Sequence, residues 1–286
     1  ILLQGSSVKS LTFLGDMFDG VQCPCILLQL VATGKPLSTV GMRIEDRTRT
    51  FIIAMERTVV PENFSFRMTD EEYRVLEKIK NSIPVCYLAD HADFALGIVT
   101  GNNKKFLSAE KTEHSEMVLK GTDICKYHIN PAKQYLRFEP EQFQQVAPLE
   151  IYRAPEKLLY RFISNQLVVA YDDRQMLSLN SCNIVIPKIE GMQIKYILAI
   201  LNSSVSQFVY QKEFHSIKVL RAHMEHIPIP RVGKAIQNEI IAMTEPLIHG
   251  MEKEAAEACR KRLDGRIMDL FRLSAEEQWI IRHALH

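Results

Sequence analysis

A short apolar strand passes into a polar loop at Gly97-Ile98-Val99-Thr100-Gly101-Asn102-Asn103-Lys104-Lys105-Phe106. Glycine, small polar side chains and two lysines follow the end of this strand directly. Loops of this composition can hold the phosphates of a nucleic acid, and the suitable contacts are Thr100, Gly101, Asn102, Lys104 and Lys105. The same composition is also typical of a solvated turn, so the residues alone leave both interpretations open.

Three further polar clusters follow along the chain. The first holds Lys120 and Lys126 on either side of Gly121-Thr122-Asp123-Ile124. The second is Arg153, Lys157 and Arg161. A helix is predicted over 155–163, with Pro155 at an early helical position, and on a helix that includes Arg153 these three residues, spaced by four, would share one face. The third contains Arg174, Ser181, Asn183 and Lys188; arginine and asparagine can contact guanine and adenine edges. Solvated helix faces and ordinary loops are the alternative interpretation of all three clusters.

The sequence around these clusters predicts short strands and several helices. We expect strands at 95–99, 134–138, 166–170 and 183–186, separated by polar loops. Capping boxes at Thr69-Asp70-Glu71-Glu72 and Ser274-Ala275-Glu276-Glu277 predict two helix starts, the first helix ending near Asn81. Apolar residues at helical spacing predict helices within 192–210 and 235–270, the second broken at Pro246 or Gly250. Ile227-Pro228-Ile229-Pro230 predicts a hinge or an extended linker.

The first segment of the chain reads as strands. Cys25-Ile26-Leu27-Leu28-Gln29-Leu30-Val31 is almost continuously apolar, which predicts a strand buried on both faces, and a second strand is expected at 50–54. Two such strands cannot form a stable domain. We expect them to close a sheet whose other strands precede Ile1, since the chain starts without methionine and is interpreted as a piece of a longer protein.

Composition and charge exclude some classes of protein. The 286 residues are 47% hydrophobic and 24% charged, which is typical of a folded chain and not of a disordered one. The formal net charge is only +1, so binding to nucleic acid has to rest on local basic groups. The six cysteines are expected to be free thiols in a reducing cytoplasm, and no apolar run predicts a membrane partner.

Catalytic and metal-binding motifs are scarce in the sequence. It holds no Walker loop, nucleophile elbow or zinc-protease helix. Asp90-His91-Ala92-Asp93 and His223 with His226 are possible metal ligands, but no third and fourth ligands are identifiable for either set. We therefore expect no catalytic residues and no metal in this chain.

Several stretches resemble the adenine-specific DNA methyltransferases of type II restriction–modification systems, which carry a TaqI-like C-terminal specificity domain. Gly97-Ile98 with Thr100-Gly101-Asn102 is similar to the first landmark of that domain, and Lys120-Gly121-Thr122-Asp123-Ile124 to the next. Tyr196-Ile197-Leu198-Ala199-Ile200-Leu201-Asn202-Ser203 and Ile227-Pro228-Ile229-Pro230 resemble the pair that ends it. Leu263-Asp264 with Ile267-Met268-Asp269-Leu270-Phe271 resembles the usual C-terminal tail.

The resemblance implies an α+β chain with three parts. Terminal strands of a methyltransferase sheet would occupy 1–60, a mixed-sheet target recognition domain 61–230, and a C-terminal helical segment 231–286. The family's Asn-Pro-Pro-Tyr tetrapeptide and glycine-rich cofactor motif are absent, and Asn130-Pro131-Ala132-Lys133 is not a substitute. The resemblance therefore implies double-stranded DNA and an upstream methyltransferase domain as partners. S-adenosylmethionine would be a cofactor of the longer bacterial enzyme and not of this fragment.

Two other functions remain open from the sequence. The chain could be a protein-interaction module that binds a partner subunit through its C-terminal helices. It could also be a metal-dependent hydrolase that uses Asp90, His91 and Asp93. DNA recognition predicts binding that weakens with salt, whereas a protein-interaction module would associate without DNA.

Overall fold

The computed structural model describes residues 5–21, 23–35, 37–59, 66–214 and 216–285. The chain forms two compact units, and the division falls between Glu77 and Lys78. The boundary expected at 60/61 lies outside the described residues. The three-part division into 1–60, 61–230 and 231–286 stays a prediction.

The first unit is built on one four-stranded sheet in the order β2-β1-β3-β4. Its strands are β1 (Ser6–Asp16), β2 (Pro24–Ala32), β3 (Arg43–Glu45) and β4 (Thr50–Ile52). β1 pairs antiparallel with β2 and parallel with β3, so the sheet is mixed. A small core of buried side chains is formed by Val8, Leu11, Met42, Ile44, Ile53 and Phe66.

The strand predicted at residues 25–31 exists, but the prediction that it is buried on both faces is wrong. β2 is an edge strand that pairs only with β1 within the described sheet. The exposed fractions of Ile26, Leu27 and Val31 are 55%, 61% and 48%. An apolar run marks burial on both faces only when layers cover both, and among the described residues of this unit only Leu28 of β2 packs against the core.

Helix α1 (Asp70–Asn81) begins and ends where the sequence predicts. The amide N–H of Thr69 donates to the Glu72 carboxylate at 2.9 Å, and the Glu72 amide donates to the Thr69 hydroxyl at 3.3 Å. This reciprocal pair is the predicted capping box, and it satisfies two amide groups that the helix itself leaves unpaired.

Over its described residues, the second unit contains two four-stranded sheets and one two-stranded sheet. The first sheet has the order β11-β10-β13-β6 and is antiparallel throughout; the second has the order β12-β8-β9-β7, with β12 parallel to β8. The strands are β5 (Val85–Cys86), β6 (Ala92–Ala95), β7 (Leu107–Ser108), β8 (Ser115–Leu119), β9 (Tyr135–Arg137), β10 (Lys157–Arg161), β11 (Val169–Asp172), β12 (Leu177–Ser178), β13 (Cys182–Pro187) and β14 (Ile229–Pro230).

Helices flank these sheets and fill the end of the chain. They are α2 (Asn103–Phe106), α3 (Leu149–Tyr152), α4 (Ile194–Leu201), α5 (Ser204–Phe214), α6 (Arg221–Glu225), α7 (Lys234–His249), α8 (Lys253–Leu270) and α9 (Ala275–Ala284). The predicted helical regions at 192–210 and 235–270 are each two helices, and the second break falls at Gly250, whose φ is +85°. The α+β fold class is confirmed.

The helix predicted over 155–163 is wrong, because this segment is strand β10. β10 lies between β11 and β13, with Leu159 opposite Ala170 on one side and opposite Ile184 on the other. Four of its five residues are buried. A short apolar run has the same composition in a buried strand and in a buried helix, so its spacing could not decide between them.

The two four-stranded sheets are joined where residues 178–182 pass between two glycines. The Ile98 amide donates to the Ser178 carbonyl at 2.7 Å, and the Asn180 amide donates back to the Ile98 carbonyl at 3.0 Å. A Cβ atom on Gly97 would lie 2.1 Å from the Leu179 carbonyl oxygen, and one on Gly121 would lie 2.5 Å from that of Ser181. The chains can approach this closely only because both residues lack a side chain.

Asn202 separates α4 from α5 and ties them to the first sheet of this unit. Its side-chain oxygen accepts from the Val169 amide at 3.1 Å, and its side-chain nitrogen donates to the Val169 carbonyl at 2.9 Å. The carboxamide therefore makes the two hydrogen bonds that a peptide group of a neighbouring strand would make with β11. This bond explains the break after Leu201, which helical spacing alone did not predict.

The C-terminal helices pack back on the rest of the second unit. Asp264 of α8 accepts the amide of Ser204 at 2.7 Å and its hydroxyl at 2.6 Å, and it thereby caps the start of α5. Lys195 of α4 pairs with Glu245 of α7 at 2.7 Å. The Ile227–Pro230 segment is extended as predicted, but it is buried and pairs with β5 and is therefore not a free linker.

We expect Gly97→Ala to lower the free energy of unfolding by about 1–3 kcal/mol, because the added Cβ would press on the Leu179 backbone. Gly265→Ala is the matched control. Gly265 lies inside α8 with no neighbouring atom within 4 Å of the added Cβ. Alanine there should raise stability by about 0.5–1 kcal/mol. Urea denaturation followed by circular dichroism measures both, and equal effects would contradict the packing argument.

Asp264→Ala should destabilise the second unit by about 1–2 kcal/mol, because the start of α5 loses its cap. Asp264→Asn keeps one acceptor oxygen for the Ser204 amide, so its loss should be clearly smaller. The same denaturation experiment compares the two variants. An Asp264→Asn loss as large as that of Asp264→Ala would show that the cap is not what Asp264 contributes.

Candidate nucleic-acid interface

Three strands start or stop at one end of the β12-β8-β9-β7 sheet. β12 is parallel to β8, so Asn180, which follows β12, and Lys120, which follows β8, lie at the same end. β9 is antiparallel to β8, and Gln134, which precedes β9, therefore also lies there. The strand topology brings polar residues together that are far apart in the sequence.

The loop 100–106 reaches the same place and is held by its own side chains. The Thr100 hydroxyl is buried and donates to the Asn103 side-chain oxygen at 2.6 Å. Gly101 has a φ of +77°, and Asn102 caps α2 by accepting the Lys105 amide at 3.2 Å. These contacts fix the backbone of the loop and leave Lys104 and Lys105 exposed.

These elements enclose a depression of about 380 Å³, which we call the strand-end depression. It is lined by Asn103, Lys104, Leu107, Lys120, Gln134, Leu179, Asn180 and Ser181. Two lysines and three carboxamides are among these residues, and none of them is an acid.

Two larger depressions in this unit have a different charge. One of about 590 Å³ beside β6 is lined by Asp93 as well as Arg221, and one of about 630 Å³ between Pro155 and Glu245 is lined by Glu156 and Glu245 as well as Lys195. Carboxylates repel phosphates, so both are less suitable for nucleic acid than the strand-end depression.

Six of the residues predicted as contacts cluster at or beside the strand-end depression. Lys104, Lys120 and Ser181 line it, and Thr100, Gly101 and Asn102 shape the loop that borders it. Lys105 lies on the same helix α2, with its ammonium 4.6 Å from the centre of the Phe106 ring. Ser181 accepts the Gly121 amide at 3.0 Å, which holds this end of the depression in place.

Lys126 and Arg161 do not line the strand-end depression and donate to backbone carbonyls of other segments. The Lys126 ammonium donates to the Asn202 carbonyl at 3.1 Å, and burial lowers the pKa of this group although Asp264 opposes the shift. Arg161 donates from Nε to the Ile124 carbonyl at 2.7 Å. Both side chains are half-buried and hold backbone segments together.

Arg153 and Lys157 do not share an exposed face. Lys157 is fully buried, pairs with Asp172 at 2.6 Å and donates to the Tyr152 carbonyl at 2.6 Å. Arg153 pairs with Glu116 at 2.6 Å. The predicted common face required a helix, and β10 removes it.

The remaining predicted contacts are dispersed. Asn183 is buried and accepts the Gly97 amide at 3.3 Å. Lys188, at the other end of β13, pairs with Asp93 at 2.6 Å. Arg174 is exposed on the connection between β11 and β12 and does not line the strand-end depression.

The sequence did not single out Gln134, Asn180 or Asn103 as contacts. Gln134 opens one of the predicted strands, and Asn180 ends a short apolar run, so each is a polar residue at a strand end. That signal is weak by itself, because most strands end in polar residues. Only the pairing of β8 with both β9 and β12 brings these polar residues together at one place.

The described parts of the chain hold no cluster of three His, Cys, Asp or Glu side chains that could bind a metal ion. Asp93 is engaged with Lys188, and this pair does not favour the hydrolase hypothesis. Among the described helices none is long and apolar enough to cross a membrane.

Known proteins resemble this chain in sequence pattern and in fold. The sequence profile of the TaqI-like C-terminal specificity domain matches residues 116–229. No curated protein sequence matches the chain. The Type IIL restriction-modification enzyme MmeI, solved in complex with DNA, is similar with a TM-score of 0.57 and 8% identity over 95% of this chain.

Two further solved structures are less similar to this chain. The type IIG restriction endonuclease BpuSI gives 0.40 at 10% identity over 94% of this chain and 44% of its own. The HsdS subunit from Thermoanaerobacter tengcongensis gives 0.39 at 14% identity over 76% of this chain and 50% of its own.

The chain spans 44% of the length of MmeI, so it corresponds to less than half of that enzyme. The matched residues 116–229 include Lys120, Gln134, Asn180 and Ser181 of the strand-end depression. The resemblance found in the sequence is confirmed for this part, since residues 116–229 match the profile of the TaqI-like C-terminal specificity domain.

Proposed function

We propose that the second unit binds double-stranded DNA in a sequence-specific way, with the strand-end depression against the duplex. The observation that carries the proposal is the position of the depression. Its lining contains lysines and carboxamides but no acid. Most of these residues lie within 116–229, the part that matches the specificity-domain profile. A specificity domain recognises DNA sequence, and the strand-end depression has side chains suited to contacts with phosphates and bases.

The two kinds of side chain in the strand-end depression suit two tasks. Lys104 and Lys120 carry positive charge that can neutralise phosphates and fix the position of the duplex. Gln134 and Asn180 offer a donor and an acceptor each, which is what contact with base edges requires. The backbone amides of the exposed residues Gly101 and Asn102 are further neutral donors suited to phosphate oxygens.

The low net charge of +1 is compatible with this function, because the charges are separated in space. Lys157, Arg153 and Lys188 are each paired with an acid elsewhere in the unit. The lysines of the strand-end depression face no acid among its lining residues. A local positive field of this kind steers a duplex without a basic chain overall.

We further propose that the chain acts within a longer restriction–modification enzyme of the bacterial cytoplasm that methylates adenine and uses S-adenosylmethionine. The first unit supports the presence of an upstream methyltransferase domain. Phe18, Ile26 and Leu27 of its first hairpin are 64%, 55% and 61% exposed. Exposed apolar patches of this kind mark interfaces, and further strands of a methyltransferase sheet would cover them.

The proposed function is tested by binding the chain to a randomised duplex library at several salt concentrations and sequencing the bound DNA. We expect one short motif to be enriched and affinity to fall steeply as salt rises. Binding without enrichment would contradict sequence recognition. No binding even at low salt would overturn the proposal and favour a protein-interaction role for the C-terminal helices.

Lys104→Ala and Lys120→Ala should each weaken binding to all sequences and reduce the slope of log affinity against log salt by about 1, since each removes one phosphate contact. Lys253→Ala is the control. Lys253 is exposed at the start of α8, a helix that contributes no residue to the strand-end depression. Titration of a labelled duplex measures the slopes, and an equal change in all three variants would locate the DNA elsewhere.

A further inference from the structure

Gln134 and Asn180 differ from the other uncharged polar residues of the strand-end depression in having free side chains. Asn103 is engaged by the Thr100 hydroxyl, and Ser181 by the Gly121 amide. Within the described ranges, neither carboxamide of Gln134 or Asn180 has a hydrogen-bond partner, although both line the depression. Each therefore keeps a donor and an acceptor for a ligand.

The backbones that carry these two carboxamides are fixed. The Val118 amide donates to the Gln134 carbonyl at 3.0 Å, and the Asn180 amide donates to the Ile98 carbonyl at 3.0 Å. Residue 180 also lies between the close approaches at Gly97 and Gly121. Side chains on fixed backbones lose little conformational freedom when they bind, which favours specific contacts over general adhesion.

The chemistry of a carboxamide selects among the bases in the major groove. Adenine presents a donor at N6 and an acceptor at N7, which a carboxamide oxygen and NH₂ group match in pairs. Guanine presents two acceptors there, so the carboxamide oxygen would face O6 without a proton between them. Cytosine is read best by a carboxylate, and the depression has none.

We infer that Gln134 and Asn180 are specificity-determining residues, and that the recognised duplex has adenine at the positions they contact. This inference rests on the proposed function, because it names the base class read at the same site. The adenine in question is one that is read in the duplex, independent of any base that the longer enzyme modifies. Lys104 and Lys120 position the duplex and carry no part of this base preference.

The test compares the bound sequences selected by the full chain and by Gln134→Ala and Asn180→Ala. Each variant should lose the preference for adenine at one position, by about tenfold in the affinity ratio of A·T to G·C, and keep the rest of the motif. Gln166→Ala is the matched control. Gln166 is an exposed carboxamide between β10 and β11 and does not line the depression.

A second measurement asks whether the lost contact is a hydrogen bond to adenine. A duplex with 7-deazaadenine at the enriched position lacks the N7 acceptor. The full chain should bind it several-fold more weakly than the adenine duplex. The alanine variant that lost this position should bind both duplexes equally, because the partner of N7 is already missing.

The outcomes distinguish a failure of the adenine inference from a failure of the proposed DNA binding. If the full chain selects a motif and neither variant changes it, or if the changed position is not adenine, the inference is wrong and DNA recognition stands. If the full chain selects no motif, both are overturned. Circular dichroism of each variant shows that a change in selection does not come from unfolding, and both side chains lie at the surface of the depression.

Discussion

The second unit depends on the passage of residues 178–182 between Gly97 and Gly121. On one side this segment continues β12 into the sheet that carries the strand-end depression, and on the other it opens β13 of the neighbouring sheet. Any side chain at either glycine would collide with its backbone. Ile98 can hydrogen-bond to Ser178 and to Asn180 only because the glycines let the backbones come this close. The same close packing therefore fixes the position of Asn180.

The basic residues of this chain divide into two groups by their partners. Lys157 stabilises the centre of a sheet because Asp172 and a carbonyl satisfy it where water cannot. Lys126 and Arg161 each donate to one backbone carbonyl of another segment. Lys104 and Lys120 have no such partners among the residues around the strand-end depression, and their charge stays available to a ligand.

Local features were predictable from the sequence, and features that depend on distant segments were not. The capping boxes at Thr69 and Ser274 involve residues three apart, and both are present. The strand identity of residues 157–161 and the exposure of β2 depend on which other strands pair beside them, which spacing does not encode. The loop at 100–106 was found because its residues are contiguous. Gln134 and Asn180 were missed because only the pairing of β8 with β9 and β12 brings them together.

The parallel pairing of β12 with β8 has a consequence for how this protein comes into being. Val118 meets Leu177, and Ile98 meets Leu179, across long loops whose closure has a high entropic cost. We therefore expect the strand-end depression to form late during folding, after most of the unit has been assembled. On the ribosome, a nascent chain that has not yet released residue 181 has no such surface. A newly made chain would therefore acquire the proposed DNA-binding surface only once this unit has folded as a whole.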